Sequence, residues 1–259
     1  MSVVPKKALG QHFLVDENIL GVIGRLASLQ PEDVVLEVGP GLGVLTRYLA
    51  DRVALVHAVE LDRSLEPGLR AALAGRPNVR LVFADALGLD RAALDPQPGK
   101  LVANLPYNVA TPLVVETLVA PGSLRRWCVM VQRELAERFF APPGSKAYGA
   151  VSVVVQLTAR RTGRHAVSAS VFRPPPKVES MLVAFERVEP PPDLPAVRRV
   201  VEGAFSHRRK TLANALELAG VARREAVVEA LARLGRRADV RAEALAPAQF
   251  VELATLLTS

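Results

Sequence analysis

The sequence predicts an α/β chain: a doubly wound, mostly parallel sheet with helices on both faces, followed by a small all-helical domain. Three observations carry this expectation. Between Val34 and about Val131, short β-branched runs alternate with amphipathic helical segments, the pattern of strand–helix crossovers. A glycine loop, Glu37-Val-Gly-Pro-Gly-Leu-Gly43, joins the first of these runs to its helix. Beyond a proline-rich stretch at Glu189–Pro195, only helical patterns remain.

Element by element, Asp16 is the expected N-cap of an opening helix with Ile19, Ile23 and Leu26 on one face. Val34–Val38, Leu55–Glu60, Val79–Phe83, Lys100–Ala103 and Cys128–Gln132 read as buried strands, with helices such as Val44–Ala50 and Leu65–Leu73 between them. Val151–Leu157 fits either a strand or a helix. Ser180–Glu186 reads as a further strand after Phe172-Arg-Pro-Pro-Pro. Four prolines in seven residues at Glu189–Pro195 cannot continue a strand or a helix interior, so a stiff linker is expected there. It would divide a domain over residues 1–188 from a helical domain over residues 189–259. Helices are expected at Ala196–Phe205, Thr211–Leu218, Arg223–Leu234 and Ala248–Leu257.

Composition narrows the class. Half of the 259 residues are apolar and 23% are charged, which excludes a disordered chain. Cys128 is the one cysteine; it rules out an intramolecular disulfide or a cysteine-based zinc site and suits a reducing compartment. No window of about eighteen residues is apolar enough to span a bilayer. Lys6 and Lys7 are followed by no apolar run, so no signal peptide is expected and a cytoplasmic location is. The net charge of +7 either favours a polyanionic partner or serves solubility.

The glycine loop is spaced G-x-G-x-G with an acidic residue before it. That spacing leans toward S-adenosylmethionine rather than a dinucleotide, although a tight turn serving packing alone remains open. Glu60 ends the second strand, where its carboxylate can accept hydrogen bonds from a ribose diol. Asp62 suits the next helix N-cap. Asp85, after the third strand, can take an adenine amine or cap a helix. The fourth strand ends in Asn104-Leu-Pro-Tyr107. As a turn this is unremarkable, but its position would face a methyl donor across the crevice. An adenine N6 amine is a poor nucleophile because its lone pair is delocalised. The amide oxygen of Asn104, with the carbonyl of Leu105 or Pro106, can draw its hydrogens toward tetrahedral geometry. Tyr107 offers a face for stacking. In-line positioning would then supply most of the acceleration.

At these residues the chain resembles the ribosomal RNA adenine N6-dimethyltransferase family, in its bacterial small-subunit branch. Matching segments run almost end to end: Lys7–Leu14, Glu37–Gly43, Val59–Asp62, Asp85-Ala86, Asn104–Asn108, Ser145–Gly149, Phe172–Ser180 and Phe205–Leu212. The resemblance implies a seven-stranded Rossmann-like sheet and an enzyme that dimethylates two adjacent adenines near the 3′ end of 16S rRNA during small-subunit maturation. It implies cofactor contacts at Gln11, His12 and Leu14, at Gly39, Gly41 and Gly43, at Glu60, and at Asp85 and Ala86. Asn104 would bridge the cofactor and the target amine. Phe172 would close on the flipped base opposite Tyr107; on its own terms it reads as a core residue beside a proline turn.

RNA phosphates would meet Arg208, Arg209 and Lys210 in the run Ser206–Thr211, along with Lys6, Lys7, Lys146, Arg173 and Lys177. The basic triplet alone is equally a solvated helix face. His57 and His165 have no acidic partner at ligand spacing, so no metal is expected. A monomer is expected. Three alternatives stay open: a 23S rRNA methyltransferase of the macrolide-resistance type, a non-catalytic assembly or transcription factor on the same fold, and a nicotinamide dehydrogenase. Phe205–Leu212 is typical of the small-subunit branch, and intact Glu60, Asp85 and Asn104 argue for catalysis.

Overall fold

The β-branched runs become strands, and the amphipathic segments between them become the helices that cover the sheet. A computed structural model describes residues 12–207 and 209–258; Lys6, Lys7, Gln11 and Arg208 lie outside the described residues. In chain order the elements are β1 (Phe13–Leu14), α1 (Asn18–Ala27), β2 (Val34–Val38), α2 (Val44–Ala50), β3 (Leu55–Glu60), α3 (Glu66–Ala72), β4 (Val79–Phe83), β5 (Lys100–Asn104), α4 (Ala110–Val119) and β6 (Arg126–Gln132). There follow α5 (Arg133–Phe139), α6 (Ala150–Thr158), β7 (Ala159–Val167), β8 (Phe172–Arg173) and β9 (Ser180–Arg187). The chain ends in α7 (Leu194–Ser206), α8 (Leu212–Leu218), α9 (Arg224–Arg233) and α10 (Pro247–Thr258).

The main sheet has seven strands in the order β4-β3-β2-β5-β6-β9-β7. From β4 through β6 neighbouring strands run parallel, and β9 enters antiparallel to β6. The chain winds outward through β3 and β4, then returns to place β5 on the other side of β2. Ligands of open α/β sheets bind in the crevice at such a reversal, at the carboxyl ends of the strands. A separate two-stranded ribbon pairs β1 with β8, Leu14 opposite Phe172.

The chain divides into two compact units. One takes the residues up to Ala136 together with Arg160–Arg187, and the other takes Glu137–Ala159 and the residues from Val188 onward. In the first, Ile19 and Ile23 of α1 and Leu45 and Leu49 of α2 belong to one buried cluster with Val56, Val102, Met130 and Leu182 of the sheet. Elsewhere in the sheet, Trp127 stacks on Phe185 and its indole nitrogen donates to Thr117 Oγ1 at 3.0 Å. Arg187 donates to the carbonyls of Thr117, Leu118 and Leu124. It thereby satisfies carbonyls left open at the end of α4, where a cation is also favoured by the helix dipole. In the second unit Phe205 sits between Tyr148 and Phe250, and the Tyr148 hydroxyl donates to the Leu245 carbonyl.

Several expectations shift by local physics. Helix α1 starts at Asn18, and Asp16 instead accepts from the Asn18 amide at 2.7 Å, bending the chain into the helix. The ambiguous run Val151–Leu157 is helical, within α6, because burial of its valines outweighs their modest helix propensity. Pro195 lies in the first turn of α7, where its missing amide costs nothing, and Asp193 caps that helix. The basic run around Arg209 and Lys210 lies in the connection between α7 and α8 rather than on a helix face.

Candidate active site

The strand ends at the reversal carry the residues the sequence singles out. Glu37 is on β2, and Gly39 and Gly41 turn the chain after it with positive φ of 73° and 57°. Only glycine adopts these values without strain. The space beside them is also taken: a Cβ on Gly39 would lie 3.3 Å from Pro106 Cδ, and one on Gly41 would lie 2.9 Å from Phe13 Cδ1. The glycine loop and the Asn104–Tyr107 turn are therefore in direct contact.

They share one cleft of about 1020 Å³, counted to its open mouth. His12 and Leu14 line it from the N-terminal side, Gly39 and Gly41 from the loop after β2, Glu60 from the end of β3, and Asp85 and Ala86 after β4. Asn104 and Tyr107 close the side after β5. Gly43 is turned away: its φ of 76° starts α2, and its Cβ position faces Leu69 and Leu73. Phe172 is 2% exposed and belongs to the core cluster beneath α1. Lys146, Arg173, Lys177, Arg209 and Lys210 are all exposed.

Glu60, Asp85, Asn104 and Tyr107 are each held by a neighbour. Glu60 accepts from the Gly41 amide through one oxygen and from the Asp62 amide through the other. Asp62 in turn accepts from the Ser64 amide, as an N-cap does. Burial raises the Glu60 pKa, and the backbone donors of Asp62 and Gly41 oppose the rise. Asp85 uses Oδ1 to accept from the Leu87 amide at 2.9 Å.

Asn104 donates from Nδ2 to the His12 carbonyl at 3.1 Å. That bond fixes the amide's orientation and leaves Oδ1 as an acceptor. The Pro106 carbonyl already accepts from the Val109 and Ala110 amides at the start of α4. Of the two carbonyls considered from sequence, Leu105's is thus the one with acceptor capacity left. The Tyr107 hydroxyl bonds Ser180 Oγ at 2.9 Å, which sets the ring plane, and the His12 ring lies 5.7 Å from it. His12 Nδ1 must carry a proton, since its partner at 2.8 Å is the Pro174 carbonyl. Ser180 was not singled out in the sequence; its place at the end of the Phe172–Ser180 segment is the only signal for it.

A model of the family described as "Ribosomal RNA adenine dimethylase" matches residues 4–259. The chain belongs to the ribosomal RNA adenine dimethylase family. It is 51% identical over 250 residues to "Ribosomal RNA small subunit methyltransferase A" of Rubrobacter xylanophilus, covering 96% of this chain and 94% of the relative. The protein of the same name from Deinococcus radiodurans is 44% identical over 92% of this chain and 81% of its own. Among solved structures, the 23S rRNA methyltransferase ErmE is similar with a TM-score of 0.70, at 28% identity over 95% of this chain and 100% of its own. A dimethyladenosine transferase from Plasmodium falciparum shares the fold with a TM-score of 0.78, at 23% identity over 93% of this chain and 96% of its own.

One residue of this adenine dimethylase cleft has unmet valence. Glu37 is 1% exposed, and neither its Oε2 nor the nearby Thr46 Oγ1 has a hydrogen-bond partner. Burial pushes its pKa up to about 8; Thr46 approaches closely enough to oppose the rise but not in hydrogen-bond geometry, and Glu60 adds to the rise. Between the usual carboxylate range and pH 8 the folded protein holds a proton that the unfolded chain has lost. Stability from this group is therefore full in acid and falls as pH rises through that window, by about 1.4 kcal/mol per unit. Glu37→Gln is expected to abolish this part of the slope. Denaturant unfolding at pH 5 and pH 8 measures it, and equal slopes in both proteins would reject the assignment.

Among the described residues no group of three or more His, Cys, Asp or Glu side chains could hold a metal ion. No described helix is long and apolar enough to cross a membrane.

Proposed function

We propose that this chain is an S-adenosylmethionine-dependent RNA methyltransferase that dimethylates N6 of two adjacent adenines near the 3′ end of 16S rRNA, in an immature small ribosomal subunit. The observation that carries the reading is the contact between the glycine loop and the Asn104–Tyr107 turn. A donor held by the first is then presented to a nucleophile held by the second. The small-subunit target rests on the close relatives named for that subunit.

The cleft fits such a cofactor on two counts. Glu37 Oε2 is a buried carboxyl oxygen in the cleft wall without a hydrogen-bond partner, and an ammonium group would pair with it as the carboxyl gives up its proton. Gly39 and Gly41 also line the cleft with no side chain of their own, so a ligand can lie directly against the main chain of this loop. When bound, S-adenosylmethionine supplies an electrophilic methyl group on a sulfonium.

The chain's own residues do the rest. Glu60, fixed by two backbone amides, keeps lone pairs for a ribose diol. Asp85 keeps Oδ2 for an adenine amine. Asn104 Oδ1 and the Leu105 carbonyl accept the two N6 hydrogens of the target base, turning its lone pair toward the donor. Tyr107 stacks on the purine, and Phe172 serves as the opposite wall once its ring has left the core. No strong base is required, because the amine proton becomes acidic as the new bond forms. Lys146, Arg173, Lys177, Arg208, Arg209 and Lys210 hold phosphates, and the helical residues after 188 contribute to RNA contact. The enzyme acts as a cytoplasmic monomer.

Incubation with labelled S-adenosylmethionine and unmethylated 30S particles tests this directly. Label is expected on two neighbouring adenines near the 3′ end of 16S rRNA. Label on 23S rRNA instead would favour the ErmE-like activity, and tight particle binding without any label would favour an assembly factor.

A further inference from the structure

We propose that His12 is a positioning residue for methyl transfer: its ring, bonded to the Pro174 carbonyl, latches the strand that carries Phe172 to the turn that grips the target amine. This deepens the reading of the chain as an RNA methyltransferase and rests on it. Family resemblance implies a cofactor contact at His12, yet its polar atoms are engaged elsewhere. The carbonyl accepts from Asn104 Nδ2 at 3.1 Å, the bond that fixes the orientation of that amide. The ring lies 5.7 Å from the Tyr107 ring, tilted by 34°. Nδ1 donates to the Pro174 carbonyl at 2.8 Å. The next residue, Phe13, is buried with Leu65 and Leu69 and fills the space beside Gly41. Residues 12 and 13 are thus where the glycine loop, the Asn104–Tyr107 turn and strand β8 meet.

The side-chain bond matters because the backbone has little support there. Strands β1 and β8 are two residues long, and a two-stranded ribbon is marginal by itself. Its pairs are Phe13 with Arg173 and Leu14 with Phe172. At one end the Val15 amide continues it with a bond to the Val171 carbonyl at 2.9 Å. At the other, the same register sets His12 opposite Pro174, and there the imidazole supplies the bond. The carbonyl that orients Asn104 sits at this second end. Fraying from it displaces the amide that holds the reacting nitrogen, and an error of about 1 Å in such a group can cost on the order of a hundredfold in rate.

The bond also fixes the tautomer. A carbonyl has no proton to give, so Nδ1 carries one, and in the neutral ring the lone pair is left on Nε2. Free imidazole side chains favour the opposite arrangement. The proton on Nδ1 is therefore a signature of the latch that can be read without turnover. Side-chain length offers a second signature. Asparagine places its amide nitrogen as many bonds from the backbone as Nδ1, whereas glutamine places it one bond further, level with Nε2.

The test uses the full chain and has two arms. Nitrogen NMR of the cofactor-free protein, with labelled histidine, is expected to show the neutral His12 ring protonated on Nδ1; comparison with His12→Asn assigns its signal among the four histidines. Methylation of 30S particles and calorimetry with S-adenosylmethionine then compare three variants. His12→Ala and His12→Gln are expected to lower kcat roughly 10–100-fold. His12→Asn should recover turnover to within about fivefold of wild type, because it keeps a donor in the right place. All three should bind S-adenosylmethionine within a few-fold of wild type. A proton on Nε2 in place of Nδ1 would overturn the latch, as would full turnover in His12→Ala. Cofactor affinity that falls in step with turnover would make His12 a cofactor contact instead. His12→Asn as slow as His12→Ala would assign the effect to the ring and not to the bond, and would equally overturn the proposal. A wild type that shows the Nδ1 proton but transfers no methyl group would remove the methyltransferase reading, a failure the spectrum distinguishes from that of the latch.

Discussion

Asn104→Ala is expected to lower turnover by about 10²–10³-fold while changing S-adenosylmethionine affinity no more than a few-fold. The scale is that of removing one preorganised dipole from a transition state, about 3–4 kcal/mol. The dipole in question is the amide oxygen. With Nδ2 committed to the His12 carbonyl, Oδ1 would, in the proposed mechanism, face a developing positive charge on the attacking nitrogen, a charge absent from the ground state. An interaction made only in the transition state appears in kcat rather than in binding. Alanine also releases the His12 carbonyl, so a second variant separates the two effects. Asn104→Asp keeps an oxygen acceptor but sets its other oxygen against that carbonyl. It should retain more turnover than alanine if acceptance matters most, and less if anchoring His12 does. Steady-state kinetics on 30S particles with calorimetry for the cofactor decides the matter. Turnover that falls only in step with cofactor affinity would show that Asn104 holds the donor and not the amine.

The parallel half of the sheet was legible because its strands are rich in β-branched and apolar residues: β2 and β3 are buried along almost their whole length, while β4, at the sheet edge, is only partly buried. Val34–Val38, Leu55–Glu60 and Val79–Phe83 have the same limits in sequence and structure, since continuous apolar runs bounded by loops have few other solutions. Strand β7 was not legible. Its arginines, Thr162 and His165 show no alternation, and its pairing is specified by the neighbouring strand rather than by its own burial. Helix α6 was obscured for the opposite reason: three consecutive valines suit a strand, and only the surrounding core makes a helix of them.

The cleft was legible wherever a residue type has a backbone reason to be there, as at Gly39 and Gly41, or ends a strand, as at Glu60 and Asn104. What sequence does not convey is which groups are already engaged. The Pro106 carbonyl looks as available as that of Leu105 until helix α4 is seen to use it. Gly43 looks like part of the same cradle until its φ turns it toward Leu69. Glu37 reads as a spacing marker for the loop, whereas its burial makes it the most electrostatically perturbed carboxylate of the cleft.

Phe172→Ala is expected to cost about 3–5 kcal/mol of folding stability, the range for deleting a buried phenylalanine ring. The ring is 2% exposed, within the cluster that includes Ile19, Ile23 and Leu182. Its backbone is paired to Leu14 at the cleft wall. A cavity there would loosen both the core under α1 and the wall that Leu14 supplies. Loss of activity in the alanine variant would consequently say nothing about base stacking. Phe172→Leu separates the roles, because it refills most of the volume but offers no aromatic face. If the ring swings out to sandwich the flipped adenine with Tyr107, the leucine variant should unfold within about 1.5 kcal/mol of wild type. It should nonetheless bind the RNA substrate roughly five- to a hundredfold more weakly, the value of one base–aromatic stack. Denaturant midpoints together with the KM for 30S particles make the comparison. A leucine variant with wild-type KM would confine Phe172 to the core, leaving Tyr107, held by Ser180, as the stacking surface.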